Sequence, residues 1–156
     1  MKDIFSIKEA IQKIEHYCAY QDRCHEEVEQ KLRSMKMDSE EISSIITHLI
    51  KDNFLNEERF ACSFARGKHR IKHWGKIRIV NELKYRGINL TLINIALKEI
   101  SPDEYISTFD SLAEKHWESI RETNIQKKRK KFCDYLLRRG FESNLVYEKV
   151  KELELL

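Results

Sequence analysis

Between residues 66 and 86 the sequence sets eight basic side chains against one acidic one, Glu82, and a second run, Lys127-Lys128-Arg129-Lys130-Lys131, follows later in the chain. The net charge of +3 conceals this concentration. Residues 1–58 carry 8 basic and 13 acidic side chains, residues 59–100 carry 10 and 2, and residues 101–156 carry 11 of each. A strongly positive middle third points to an anionic partner. Other side chains capable of chemistry lead nowhere comparable. His69 and His73 are spaced i, i+4, which suits a metal on one helix face. However, no third ligand accompanies them, and Arg66, Lys68, Arg70 and Lys72 surround them with positive charge. His16, Cys18, Cys24 and His25 do not follow zinc spacing, in which ligands pair two to five residues apart at both ends. With Cys62 and Cys133, the cysteines read as free thiols of a reducing compartment. There is no Gly-rich phosphate loop, no GxSxG and no HExxH. The residues therefore predict binding, not catalysis, with no cofactor and no metal.

The elements that must carry these charges are helices. Four Gly and one Pro are too few for sheets joined by tight turns. Ser6–Glu9 and Ser101–Glu104 read as capping boxes, Pro102 falls at a first helical position, and Asp38, Asn56 and Asn89 are further N-caps. Apolar residues recur at helical spacing, as in Ile42, Ile45, Ile46, Leu49 and Ile50. Nine helices are predicted, over 7–20, 24–36 and 40–52, then 57–72, 76–86 and 90–100, then 102–121, 124–139 and 143–154.

On the 57–72 helix, Phe60, Ala61, Phe64, Ala65 and Ile71 share one side. Arg59, Arg66, Arg70 and His73 share the other and form an outward cationic ridge, extended by Lys72 and by Lys76, Arg78, Lys84 and Arg86 of the next helix. Lys68 falls on the apolar side. Further on, Lys127, Lys130, Lys131 and Arg138 share a polar face. Positive charge at a helix start opposes the helix dipole, by about 0.3–1 kcal/mol per residue, so folding alone would not select it there.

The helices form a repeat. Leu83, Gly87, Ile88, Ile93, Leu97 and Ile100 recur as Leu136, Gly140, Phe141, Val146, Val150 and Leu153, and as Leu32, Lys36, Met37, Ile42, Ile46 and Leu49. The glycine suits a left-handed helix C′ position, with the next apolar residue packing back. Lys36 occupies that position in the first copy, which predicts a turn that is strained or differently built. The fold class is thus all-α: three tandem three-helix units, 1–55, 56–100 (the basic one) and 101–156, stacked as an elongated, curved array. No apolar run approaches a membrane span, and the start lacks a signal peptide's apolar core, so a cytoplasmic monomer is expected.

The segment Phe54-Leu55-Asn56-Glu57-Glu58-Arg59-Phe60-Ala61, then Gly75-Lys76-Ile77-Arg78 and Glu82-Leu83-Lys84-Tyr85-Arg86-Gly87-Ile88, resembles the central motif of RecX proteins, small regulators of the RecA recombinase. Asn56-Glu57 stands where an Asp is common. The resemblance covers nearly the whole chain through the three repeats. It implies a non-enzymatic protein that lodges in the groove of the RecA–DNA filament and modulates, usually inhibits, its activities. The implied partner is the RecA filament, with single-stranded DNA as a further candidate. Tri-helical basic units also suit a helix-turn-helix transcriptional regulator, but a threefold repeat with no distinct recognition helix argues against that alternative.

Overall fold

Local sequence signals start most of the helices. In a computed structural model, which describes residues 5–156, the Asn56, Asn89 and Ser101 side chains accept hydrogen bonds from the backbone N–H of Arg59 (2.9 Å), Leu92 (2.9 Å) and Glu104 (3.1 Å). Asp38 accepts from Glu41 N–H at 2.8 Å, and the Glu41 carboxylate accepts from Asp38 N–H in return, a full capping box. The two boxes expected at Ser6 and Ser101 form only their serine half among the described bonds. Glu104 is drawn instead to Arg70.

The helices among the described residues are α1 (Ile7–Tyr20), α2 (His25–Ser34), α3 (Ser39–Lys51), α4 (Glu57–Arg70), α5 (Lys76–Tyr85), α6 (Leu90–Leu97), α7 (Pro102–Ser119), α8 (Ile125–Arg138) and α9 (Ser143–Glu154). No strand occurs among those residues, and no helix there is long and apolar enough to cross a membrane. The chain exposes 10104 Å², against roughly 8300 Å² for a compact monomer of its mass, so the array is less compact than a sphere.

Each three-helix unit turns at the same place. Lys36, Gly87 and Gly140 all have positive φ, at 65°, 76° and 96°. The N–H of the next residue (Met37, Ile88 or Phe141) reaches back to Leu32, Leu83 or Leu136, at 3.2, 3.1 and 3.2 Å. This is the Schellman closure, and all three returning side chains are buried. Lys36 adopts the left-handed conformation without glycine's freedom, at a cost of about 1–2 kcal/mol.

The buried apolar side chains form two groups. Ala10, Ile14, Leu32, Ile45, Leu49 and Leu55 belong to one, confined to the first unit. The other runs continuously from Phe60 and Ile79 through Phe109 and Phe141 to Leu153, joining the second and third units. The first unit meets the second through polar contacts around Asp22, His25, Glu57 and Arg59, with Cys24 inserted among them into the larger core.

Candidate functional site

The arginine ridge predicted on α4 is not a free surface. Arg59 donates through Nε to Asp22 Oδ1 at 2.6 Å, and through Nη2 to the Asn53 and Phe54 carbonyls, each at 3.2 Å. It thereby clamps the first unit to the second. Arg66 pairs with Glu99 at 3.2 Å, beyond the end of α6. Arg70 forks onto Glu104 at 2.7 and 3.3 Å, joining α4 to α7. The Arg70 hydrogen bond holds the Glu104 carboxyl below its usual range, so both partners are charged at neutral pH.

The rest of the helical-wheel reading needs matching corrections. α4 ends at Arg70, so Ile71 is 75% exposed and not on the apolar side. His73 has φ 57° in the following turn and leaves the ridge. His69 is fully buried, bonded through Nδ1 to the Trp74 carbonyl at 2.9 Å and stacked on Tyr105. It is therefore unavailable as half of a metal pair, and no group of three His, Cys, Asp or Glu among the described residues is placed to hold a metal. Phe64 is half-buried and lines a cleft of about 600 Å³ between the first and second units. Lys68, the misfit of the wheel, lies over the Phe64 and Trp74 rings. The four thiols are buried, and burial pushes Cys18 and Cys24 up to about 11, so neither is a thiolate.

Ion pairing sorts the remaining candidate cations. Arg86 pairs with Glu82 (2.8 Å), Lys130 with Asp134 (2.7 Å) and Lys131 with Glu122 (3.3 Å). Lys72, Lys76, Arg78, Lys84, Lys127 and Arg138 have no carboxylate within ion-pair distance among the described residues. Lys127 lies at the opposite end of α8 from Arg138, about 16 Å along the helix, so the expected second face is not one compact patch.

Four of the unpaired cations gather where α5 begins, and the backbone explains why. Gly75, the N-cap of α5, has no side chain to cap the helix. The carbonyls at the end of α8 do it instead: Gly75 N–H donates to Arg139 O at 2.8 Å, and Ile77 N–H to Gly140 O at 3.0 Å. Between them Lys76 N–H donates to Tyr105 Oη at 3.0 Å. Burial and the neighbouring Glu142 carboxylate push the Tyr105 phenol up, so its O–H stays protonated and donates to Glu142. A Cβ on Gly75 would overlap the Gly140 backbone, and one on Gly140 would overlap Arg78. The glycine-then-basic motif is therefore a joint: two helix ends meet head to tail, with the negative end of the α8 dipole against the positive end of α5.

Around this joint stand Lys72, Lys76, Arg78 and Arg138, together with Arg139 and Trp74, which the sequence reading passed over. The Arg139 guanidinium donates to the Lys72 carbonyl, and that of Arg78 lies 4.1 Å from the centre of the Trp74 ring. The adjacency Arg138-Arg139-Gly140, matching the basic residues beside Gly75, is the signal that could have found them. The geometry holds fixed positive charge beside an aromatic face, which suits an anionic macromolecular surface.

Two family models match the chain in succession. Residues 56–97 match the model of the RecX second three-helix domain, and residues 103–150 match that of the third. The regulatory protein RecX of Bacillus cytotoxicus is 27% identical over 138 residues, 88% of this chain and 51% of the relative. That of Oceanobacillus iheyensis is 25% identical over 139 residues, 89% and 51%. The chain thus spans about half the length of the curated relatives it matches. The crystal structure of RecX from Lactobacillus salivarius superposes with a TM-score of 0.80 at 28% identity, over 96% of this chain and 97% of that one. A second crystal structure of a regulatory protein RecX gives 0.82 at 24%, over 94% and 73%, a likeness of fold. With two successive family domains matched over more than half of its length, and meeting at the Gly75–Gly140 joint, the chain belongs to the RecX family.

Proposed function

We propose that the chain binds RecA–DNA filaments and lowers their ATPase and recombinase activity, with the surface around the α5–α8 joint as the principal contact. The observation that carries this reading is the set of cations there with no carboxylate in ion-pair distance among the described residues, Lys72, Lys76, Arg78 and Arg138, with the Arg78 guanidinium against the Trp74 ring. Charges already committed to ion pairs gain little from a new partner, whereas these cations are free to pair with acidic protein surface or phosphate. The name shared by the relatives, regulatory protein RecX, supports regulation by binding. A helix-turn-helix operator reader is the weaker alternative. In a three-helix unit the third helix enters the groove, and α6, Leu90–Leu97, carries no charged side chain to read one.

The test uses the host's own RecA on single-stranded DNA, with ATP hydrolysis measured across substoichiometric to equimolar additions of this protein. The parent lowers the rate. Lys72→Glu with Arg138→Glu, two exposed side chains that pair with no carboxylate among the described residues, folds as the parent does and loses at least tenfold in potency. A parent that neither binds the filament nor changes the rate refutes the function. A double variant as potent as the parent refutes the surface.

A further inference from the structure

The boundary between the first and second units lacks the joint that locks the second to the third. Gly75, twelve residues before Gly87, meets the end of α8; the equivalent position in the first unit is Cys24, twelve residues before Lys36. A Cβ on Gly75 would overlap the Gly140 backbone, and Cys24 carries one. No described backbone bond joins the start of α2 to the end of α5. A Cβ on Gly87 would meet nothing within 4 Å, where one on Gly140 meets Arg78. In place of a joint stands the cleft of about 600 Å³. Its first-unit wall offers Glu26 and Glu27, and its second-unit wall Phe64, Lys68, Tyr85 and Arg86. Glu27 and Arg86 are paired on their own sides, with Arg23 (3.6 Å) and Glu82 (2.8 Å). Glu26 and Lys68 have no opposite charge within ion-pair distance among the described residues. Tyr85 is 82% exposed, although it lines the cleft.

We infer that this cleft closes: the first unit turns as one body against the second and third, pairing Glu26 with Lys68 and covering Phe64 and Tyr85. Three observations place the motion there. The first unit has a core of its own, whereas the second and third share one, so the two bodies are each stiff. The contacts between them are few and polar. Asp22 with Arg59 and His25 N–H with Glu57 lie beside Cys24, which is seated in the shared core and serves as the pivot. Finally, the two sides are oppositely charged, with 13 acidic side chains to 8 basic in residues 1–58 and 2 to 10 in residues 59–100. Salt screens attraction across a wet cleft. Low ionic strength therefore closes it and high ionic strength opens it, giving the array two curvatures. This property belongs to the free chain and does not rest on filament binding.

The test couples carboxylates to amines with a carbodiimide in the full chain. It compares about 0.01 M salt, where charges interact over roughly 30 Å, with about 1 M, where they interact over roughly 3 Å. Mass spectrometry identifies the cross-linked peptides, and small-angle X-ray scattering follows the radius of gyration. A zero-length Glu26–Lys68 link forms at low salt and falls by about fivefold or more at high salt, while the radius of gyration rises. Glu26→Lys has the larger radius at both salts with circular dichroism unchanged, and adding Lys68→Glu to it restores the smaller low-salt value. No Glu26–Lys68 link at low salt, or equal yields at both salts, overturns the inference. So does a Glu26→Lys radius equal to the parent's at low salt, or a double variant that stays extended.

Discussion

Replacing the glycines one at a time separates backbone strain from docking at the α5–α8 joint. Gly87 and Gly140 both close a helix with positive φ, 76° and 96°, but a Cβ on Gly87 meets open space while one on Gly140 meets Arg78. Gly75 is the converse: its φ of −78° suits any residue, and only the Gly140 backbone excludes a side chain. Gly87→Ala therefore carries the left-handed cost alone, about 1–2 kcal/mol. Gly75→Ala forces the joint open. Two inter-unit backbone bonds and the Lys76–Tyr105 bond are at stake, each with a net value of about 0.5–1.5 kcal/mol. A more restricted unfolded chain returns about 0.4–1 kcal/mol, leaving a loss of about 2 kcal/mol, or roughly 4–8 °C in Tm for a chain of this size. Gly140→Ala carries both costs and should be the least stable of the three. Urea and thermal unfolding followed by circular dichroism decide the matter. If Gly75→Ala melts with the parent and Gly140→Ala falls no lower than Gly87→Ala, the helix ends are not docked and the joint is wrongly described.

Lys36→Gly relieves the one left-handed lysine in the repeat turns and should stabilise the first unit by up to about 1 kcal/mol, read as a higher urea midpoint at constant slope. Burial against the stacked Tyr135 and Phe132 rings lowers the His116 pKa below its ordinary value. Its contribution is therefore complete above about pH 6.5 and is lost as pH falls through the lower folded value. His116→Phe should flatten that part of the stability–pH curve, and equal slopes in the two proteins would show that the histidine is solvated. Lys149 is 6% exposed and sits 3.1 Å from Glu114, 3.4 Å from Asp110 and 3.6 Å from Glu152. Those carboxylates are 44–67% exposed and stay hydrated without the amine, so Lys149→Met should change stability by no more than about 1 kcal/mol in urea unfolding.

Helix positions were legible because their causes are local. Asn56 and Asn89 cap residues three positions on, and the apolar stripes run along single helices. The α4 ridge was misread because a helical wheel shows which side leaves its own stripe and nothing of what lies opposite. Arg59, Arg66 and Arg70 face Asp22, Glu99 and Glu104, the nearest of them 33 residues away. Continuing the wheel beyond Arg70, where the helix stops, misplaced Ile71 and His73. Lys149 did leave a trace: with Val146, Val150 and Leu153 it falls on one apolar stripe, which predicts a buried amine in need of carboxylates. Gly75 and Gly140 could be seen as separate glycines, but their meeting depends on the packing of two units, which no local pattern encodes.

The distribution of ion pairs also separates cations that join the units from cations that do not. Arg59 and Arg70 each tie one unit to the next, and reversing either charge would set two carboxylates against each other at a unit boundary. Loss of partner binding in such variants would have to be separated from the loss of a contact between units. At the joint the situation differs by residue. Arg78 lies near the α8 carbonyl end, its Nη1 3.5 Å from Arg138 O, so the dipole there offsets the cost of a cation opening α5. Lys127 opens α8 with no such carbonyl end, and the acid at that helix start is Glu122, which accepts from Asn124 N–H and is paired with Lys131. Lys72, Lys84 and Arg138 are exposed, with no recorded side-chain partner. Charge that folding does not use, and in the case of Lys127 opposes, is the charge whose retention needs a partner to explain it. On that criterion the cations around the α5–α8 joint stand apart from the α4 arginines, which form the most conspicuous basic pattern in the sequence but are ion-paired.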